Sequence, residues 1–230
     1  MKNLIISPTG DESLFEGWYD NENFDLVFLY YSNSEEKFNE LKTKHKYVYK
    51  VTGEKWKITK NFIESNLDFI KNYDTFWFPD DDIKCDVESV KELFNTHKEY
   101  GLSLSQPSVI GFTSHKITNP QENSILRFTN FVEIMCPVMD IKTLMILLET
   151  FNMTESGYGL DLLWPKMLGF PIDKISVIDK VIVEHTKPVG GSYVGRFKIP
   201  PINELHFILN KYGLSFNLIE YSKINNDKNK

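Results

Sequence analysis

Between Leu4 and Gln106 the sequence alternates four times between a short apolar run and a helix-patterned stretch, and this alternation limits the possible folds more than any other feature. The runs are Leu4-Ile5-Ile6, stopped by Ser7-Pro8-Thr9-Gly10, then Asp25 to Tyr31, Tyr47 to Val51, and Thr75-Phe76-Trp77-Phe78-Pro79. Asp25 to Tyr31 is apolar at consecutive positions, the pattern of a strand buried on both faces of a parallel sheet. Asn33 and Glu36 mark the start of a helix over Ser34 to Thr43. Lys57 to Asn72 places Ile63, Leu67 and Ile70 on one helical stripe. Asp86 caps a helix with Val87, Val90 and Phe94 on its apolar side, ending at Gly101, and Leu102 to Gln106 is extended again. Successive β-α units of this kind predict an α/β fold with right-handed crossovers and a mostly parallel central sheet flanked by helices.

The second half is less regular. It predicts a strand over Phe131 to Met139, a helix over Ile141 to Phe151 and a Gly-rich turn from Asn152 to Gly159. One or two strands over Ser176 to Glu184 lead to His185, and a helix over Asn203 to Lys211 stops at Gly213. No repeat or linker divides the chain, so residues 1–222 are expected to form a single domain, with 223–230 as a flexible tail. A 41% hydrophobic content supplies one sizeable core. The net charge is -6, and arginine occurs only at positions 127 and 196, which excludes the dense basic stripe of a nucleic-acid binder. The N-terminal apolar run is too short for a signal peptide, and nothing approaches the roughly 20 apolar residues of a spanning helix. Cys85 and Cys136 have neither disulfide nor zinc spacing, so a cytoplasmic protein with reduced thiols and no integral membrane segment is expected.

The fourth apolar run passes directly into Asp80-Asp81-Asp82. Carboxylates at the end of such a strand stand at the carboxyl edge of a parallel sheet, where ligands of open α/β folds bind. Adjacent like charges repel, and keeping them together calls for a cation. Oxygen ligands suit Mg²⁺ or Mn²⁺, which are held by one or two carboxylates plus substrate phosphates. In an extended segment Asp80 and Asp82 point the same way. A solvated acidic turn is the competing reading, and the aromatic strand before and the capped helix after weigh against it.

Five ordered blocks resemble nucleotide-sugar glycosyltransferases of the GT-A fold, closest to a glycosyltransferase-like family of plants and bacteria. They are Tyr73 to Ile83, Gly101 to Pro107, Arg127 to Pro137, Gly157-Tyr158-Gly159-Leu160-Asp161 and Val183 to Gly191. Asp81 stands where that family has Glu, and Tyr158 where it has Trp. The resemblance implies a GT-A-like (Rossmann-like) domain and metal-dependent transfer of sugar from a nucleotide diphosphate donor, UDP-linked, to a hydroxyl acceptor, as in surface polysaccharide synthesis. It implies that His185 completes a metal site with Asp80 and Asp82, as a neutral imidazole can beside Mn²⁺. Asp161 matches the catalytic base of inverting members, or a donor-sugar ligand in a retaining enzyme. The donor is expected against Ser7, Thr9, Lys57 and Asp81, with Trp56 alongside, and its diphosphate against Lys187, Gly190, Gly191 and Arg196. Glu133 and Tyr158 are expected in the acceptor and sugar pocket.

Residue by residue, plainer readings stand beside these. His185 suits a structural histidine, Asp161 favours a helix dipole, and Lys187 to Arg196 suits a polar surface loop. Glu133, in an apolar strand, needs a partner such as Arg127 or an outward orientation. Two other functions remain: a metal-dependent phosphohydrolase, whose acid-x-acid motif normally follows the first strand and not the fourth, and a non-catalytic nucleotide- or sugar-binding protein.

Overall fold

In the chain order of the computed structural model, which describes residues 2–18, 22–189 and 197–226, strand and helix alternate through the first half as the apolar runs require. Strand β1 (Asn3–Thr9) and β2 (Phe24–Tyr30) are followed by helix α1 (Glu35–Lys44), β3 (Tyr47–Lys50), α2 (Lys55–Ser65) and the short α3 (Leu67–Ile70). Next come β4 (Thr75–Trp77), β5 (Ile83–Lys84), α4 (Val87–Glu99) and β6 (Leu104–Gly111). The second half adds β7 (Ser124–Thr129), β8 (Val138–Asp140), α5 (Ile141–Leu147), α6 (Leu160–Met167), β9 (Ile175–His185), α7 (Pro201–Tyr212) and β10 (Glu220–Asn225).

Two of the predicted caps are the observed ones. Asp86 accepts from the Ser89 amide at 2.7 Å, and Gly213 ends α7 in the left-handed region at φ 60°. At α1 the cap is Ser34, one residue after the expected Asn33.

All ten described strands join one sheet in the order β10-β7-β9-β6-β8-β4-β1-β2-β3, with β5 on β9. The sheet is mixed. β1 pairs in parallel with β2 and β4, β2 with β3, and β6 with β9, whereas β7, β8 and β5 run against their neighbours. The first-half β-α units built the parallel part, and the irregular second half supplied the antiparallel strands. Alternation along β1 and β2 divides the core. Leu4, Ile6, Val27 and Leu29 pack with α2, α5, α6 and α7 on one face. Ile5, Leu26 and Phe28 pack with α4 and Trp18 on the other.

Three expectations are corrected here. Residues 131–137 form no strand, so Glu133 lies in the irregular segment between β7 and β8. Arg127 does not pair with Glu133: its guanidinium makes a two-point contact with Asp179 at 2.8 and 3.0 Å and reaches Glu220. The tail assigned to 223–230 begins too early, since β10 pairs with β7 as far as Asn225.

Candidate functional site

Strands β1, β4, β6 and β9 all point their carboxyl ends at one cavity of about 450 Å³. Asp80, Asp81, Asp82, Glu133, Tyr158, Asp161, His185 and Lys187 line it together, although they are spread over more than a hundred residues of sequence. The mouth of an open α/β sheet is where such convergence is expected.

Local geometry differs from the extended acid-x-acid segment expected from sequence. Asp81 and Asp82 form a turn, closed by the Ile83 amide donating to Asp80 O at 3.3 Å. The three carboxylates therefore have three separate tasks. Asp80 Oδ1 accepts from Lys55 Nζ at 2.7 Å. Asp81 Oδ2 accepts from the Gly10 amide at 2.9 Å, Ser13 Oγ at 2.9 Å and Tyr31 OH at 2.7 Å. Asp82 Oδ2 faces His185 Nε2 at 3.3 Å.

Pairing of β5 with β9 explains the last contact, because Ile83 lies opposite His185 and carries Asp82 beside the ring. On the far side, Gly111 closes the same edge with φ 83°. A Cβ there would stand 2.5 Å from His185 O, so only glycine lets β6 approach. His185 Nδ1 donates to Phe112 O at 2.5 Å, which leaves Nε2 directed at Asp82 and the cavity. An imidazole anchored by one nitrogen with the other presented to a carboxylate is oriented as a metal ligand would be.

The titration behaviour of the cluster follows from its burial. Desolvation works against a charged His185 ring, but the bonds to Asp82 and Phe112 outweigh it and lift its pKa to about 9. Burial raises Asp80, partly opposed by Lys55. It lifts Asp161 to about 7, against backbone amides at the start of α6, one of which, Leu162 N, donates to Oδ1 at 2.9 Å. It lifts Glu133 to about 8, with Asp161 adding to the effect.

Two buried carboxylate oxygens here, Asp82 Oδ1 and Glu133 Oε2, have no hydrogen-bond partner. Unpaired buried oxygens are costly and point to an absent cation or donor. Carboxylate and imidazole are ligand types for divalent cations, and here Asp80 is paired with Lys55 and Asp82 with His185. Among the described residues, no group of three or more His, Cys, Asp or Glu side chains is placed so that it could hold a metal ion.

Not every expected residue reaches the cavity. Pro8, not Ser7 or Thr9, lines it, because alternation along β1 turns Ser7 and Thr9 to the opposite face. Their hydroxyls are buried against the carbonyls of Pro8, Pro79 and Ser7. Lys57 is exposed and outside the lining, while Lys55 and Trp56 are inside it. Asp81 lines the cavity, yet its Oδ2 is occupied by the Gly10 loop and Tyr31. Lys187 stands at the rim, 3.4 Å from Glu12. Gly190, Gly191 and Arg196 lie outside the described residues. The sequence reading missed Lys55 and Tyr31. Gly53, with φ 133°, was the available signal that α2 starts at Lys55.

A family model described as a protein of unknown function (DUF707) matches residues 17–128. Among solved structures, S. aureus TarS 1-349 in complex with UDP-GlcNAc aligns with a TM-score of 0.59 at 15% identity, over 92% of this chain and 65% of that one. The likeness is one of fold. TarS 1-349 in a second crystal structure aligns over 92% of this chain and 72% of its own, at 14% identity and a TM-score of 0.54. Longer TarS aligns over 94% of this chain and 44% of its own, at 13% identity and a TM-score of 0.53. The chain therefore spans less than two thirds of the first of these relatives. No curated protein matches its sequence. No helix among the described residues is long and apolar enough to cross a membrane.

Proposed function

We propose that this chain is a metal-dependent glycosyltransferase that moves a sugar from a nucleotide diphosphate sugar, with uridine as the base, to a hydroxyl acceptor such as a carbohydrate. The observation that carries this reading is the convergence of Asp80, Asp82, Asp161 and His185 on one cavity at the carboxyl ends of the parallel strands. It is supported by a fold shared with TarS, which was solved with UDP-GlcNAc. One sheet uses strands from β1 to β10, which supports treating the chain as far as Asn225 as one glycosyltransferase-like unit.

In this reading Asp161 is the base of an inverting reaction. An acceptor hydroxyl oxygen attacks the anomeric carbon, the bond from that carbon to the diphosphate oxygen breaks, and the hydroxyl proton passes to Asp161. Burial holds Asp161 near pKa 7, where it accepts a proton at neutral pH without holding it permanently. Asp80, Asp82 and His185 would hold Mn²⁺ or Mg²⁺, which supplies positive charge against the departing diphosphate. Pro8, Tyr31, Gly53 and Trp56, which line the cavity, would flank the nucleoside end in this reading, and Lys187 would face the diphosphate. Glu133 keeps its proton at neutral pH and offers it as a hydrogen bond to a sugar hydroxyl, with Tyr158 beside it. Free Cys85 and Cys136 are in keeping with a cytoplasmic setting. The acid pair follows β4 and not β1, so nothing favours the phosphohydrolase alternative.

Calorimetric titration with UDP, with and without Mn²⁺, tests this on the wild type and on Asp82→Asn. Binding that needs Mn²⁺ and disappears in the variant is expected. Metal-independent binding that survives the substitution overturns the reading.

A further inference from the structure

One stripe of helix α7 grips the Gly-rich turn at residues 152–159, which has no regular structure of its own. Glu204, Ile208 and Tyr212 follow one another at every fourth residue along that stripe. Glu204, in the first turn of the helix, is 6% exposed, and its carboxylate takes three donors from the Gly-rich turn. Oε1 accepts from the Glu155 amide at 2.7 Å, and Oε2 accepts from the Ser156 amide at 2.9 Å and from Ser156 Oγ. Ser156 Oγ accepts in its turn from the Tyr158 amide at 3.2 Å. One helical turn further on, a Cβ at Gly159 would stand 3.0 Å from Ile208 Cβ, so the backbone passes directly against the helix. Tyr212 OH donates to Met153 Sδ at 3.3 Å. Glu155 returns the grip, its Oε2 accepting from the Lys198 amide at 3.3 Å, just ahead of α7.

A turn with glycines at 157 and 159 has many backbone conformations open to it, and an external hold is what keeps its side chains in one place. Its far end matters to the cavity. Tyr158 and Gly159 line it, and Asp161 lines it from the first turn of α6 directly after. Two neighbouring amides call for two acceptor oxygens, which a carboxylate supplies in a single group. We propose that Glu204 is a positioning residue for the acceptor side of the cavity, clamping the 155–156 amides so that the turn presents Tyr158 and Asp161 to the substrate. This rests on the transferase reading and deepens it. The clamp consists of hydrogen bonds within the chain and involves no metal ion.

The test uses the full chain and follows the Asp161 carboxyl carbon by ¹³C nuclear magnetic resonance through a pH titration, with Asp161→Asn to assign the signal. Burial holds this group at about 7, so a turn that loosens and admits water should release it toward the ordinary carboxylate range. Glu204→Gln keeps the shape of the side chain but has one acceptor oxygen for two amides. Its Asp161 midpoint should fall to about pH 6 or lower while circular dichroism is unchanged. Glu133 and Tyr158, the titratable neighbours of Asp161, stay as they are in this variant. Ser156→Ala removes only the hydroxyl between Glu204 and the Tyr158 amide. It should move the midpoint the same way by less, and it carries the test if Glu204→Gln does not fold. A wild-type midpoint in folded Glu204→Gln, or in Ser156→Ala where that variant is the one that folds, overturns the positioning role alone, because a carboxylate that merely stabilised α7 would leave the surroundings of Asp161 unchanged. Calorimetric titration with UDP in Mn²⁺-containing buffer should give wild-type binding in both variants, since the clamp lies on the acceptor side. A wild-type chain that binds no UDP removes the transferase reading, and the acceptor role of this turn with it.

Discussion

His185 Nε2 lies 3.3 Å from Asp82 Oδ2, and both side chains are more than four-fifths buried. Against the effect of burial, this contact and the bond to Phe112 raise the histidine pKa from 6.5 to about 9. A raised pKa stabilises the fold fully below the unfolded value and is lost as pH climbs through the folded one. Urea unfolding in the presence of a chelator should therefore show wild type losing on the order of 1–2 kcal/mol between about pH 6 and pH 10, after allowance for solvent in the cavity. His185→Gln should flatten that dependence. A wild type as stable at the upper end as at the lower contradicts the pairing.

Metal uptake should report on the same proton. Binding to Nε2 requires the neutral ring, so Mn²⁺ should displace a proton at pH 7.5, and affinity should rise as pH approaches about 9. Calorimetry in two buffers of different ionisation heat counts the proton. No buffer dependence means that His185 is not a ligand.

Asp161→Asn should lower sugar transfer by about 10²–10⁴-fold while leaving Mn²⁺-dependent UDP binding within error of wild type. In the proposed reaction the group is a base with a pKa near 7, so the wild-type rate should fall as pH drops below that value. Equal loss of UDP binding would place Asp161 among the donor ligands instead.

Legibility in the sequence followed the element types. Asp80, Asp82 and His185 could be read because strand ends fix position: a residue just past an apolar run is at the sheet edge whatever its exact register. Lys55 could not. The expected helix began at Lys57, and each helical residue turns about 100°, so the two-residue error swung the predicted cation to the opposite side. Ser7 and Thr9 failed through the strand counterpart of that error, since a shift of one residue exchanges the faces of a sheet. Glu133 was read as part of a strand because its neighbours are apolar. Those neighbours are buried in the core clusters, and the backbone between them is irregular.

Arg127 and Asp179 form a pair with 1% and 0% side-chain exposure, joined by Ser108 Oγ and the Gln121 amide on the same carboxylate. Among the described residues, removing Asp179 leaves the buried guanidinium with only the Glu220 carboxylate, at 3.3 Å, as a counter-charge. Asp179→Ala should cost about 3–5 kcal/mol in urea unfolding, and adding Arg127→Met should recover part of that loss. A double variant no better than the single one would show that the pair is not the origin of the cost.

Gly157 has φ 87°, and a Cβ there would stand 2.7 Å from Trp56 Cδ1 and 3.0 Å from Ile134 Cδ1. Gly157→Ala should destabilise by on the order of 1–3 kcal/mol through backbone strain and overpacking. Trp56 borders the cavity, so the tryptophan fluorescence response to UDP should change as well. An unchanged melting temperature and response would contradict the close contact.

Asp81 binds the Gly10 amide, Ser13 and Tyr31 through one oxygen, and its own carbonyl accepts from the Leu14 amide at 2.8 Å. The middle acid of the turn thus rivets the first loop and the end of the second strand to the neighbours that would grip a cation. Nucleoside and pyrophosphate would then be sensed by a single rigid block, and slack at either end would be transmitted to the other.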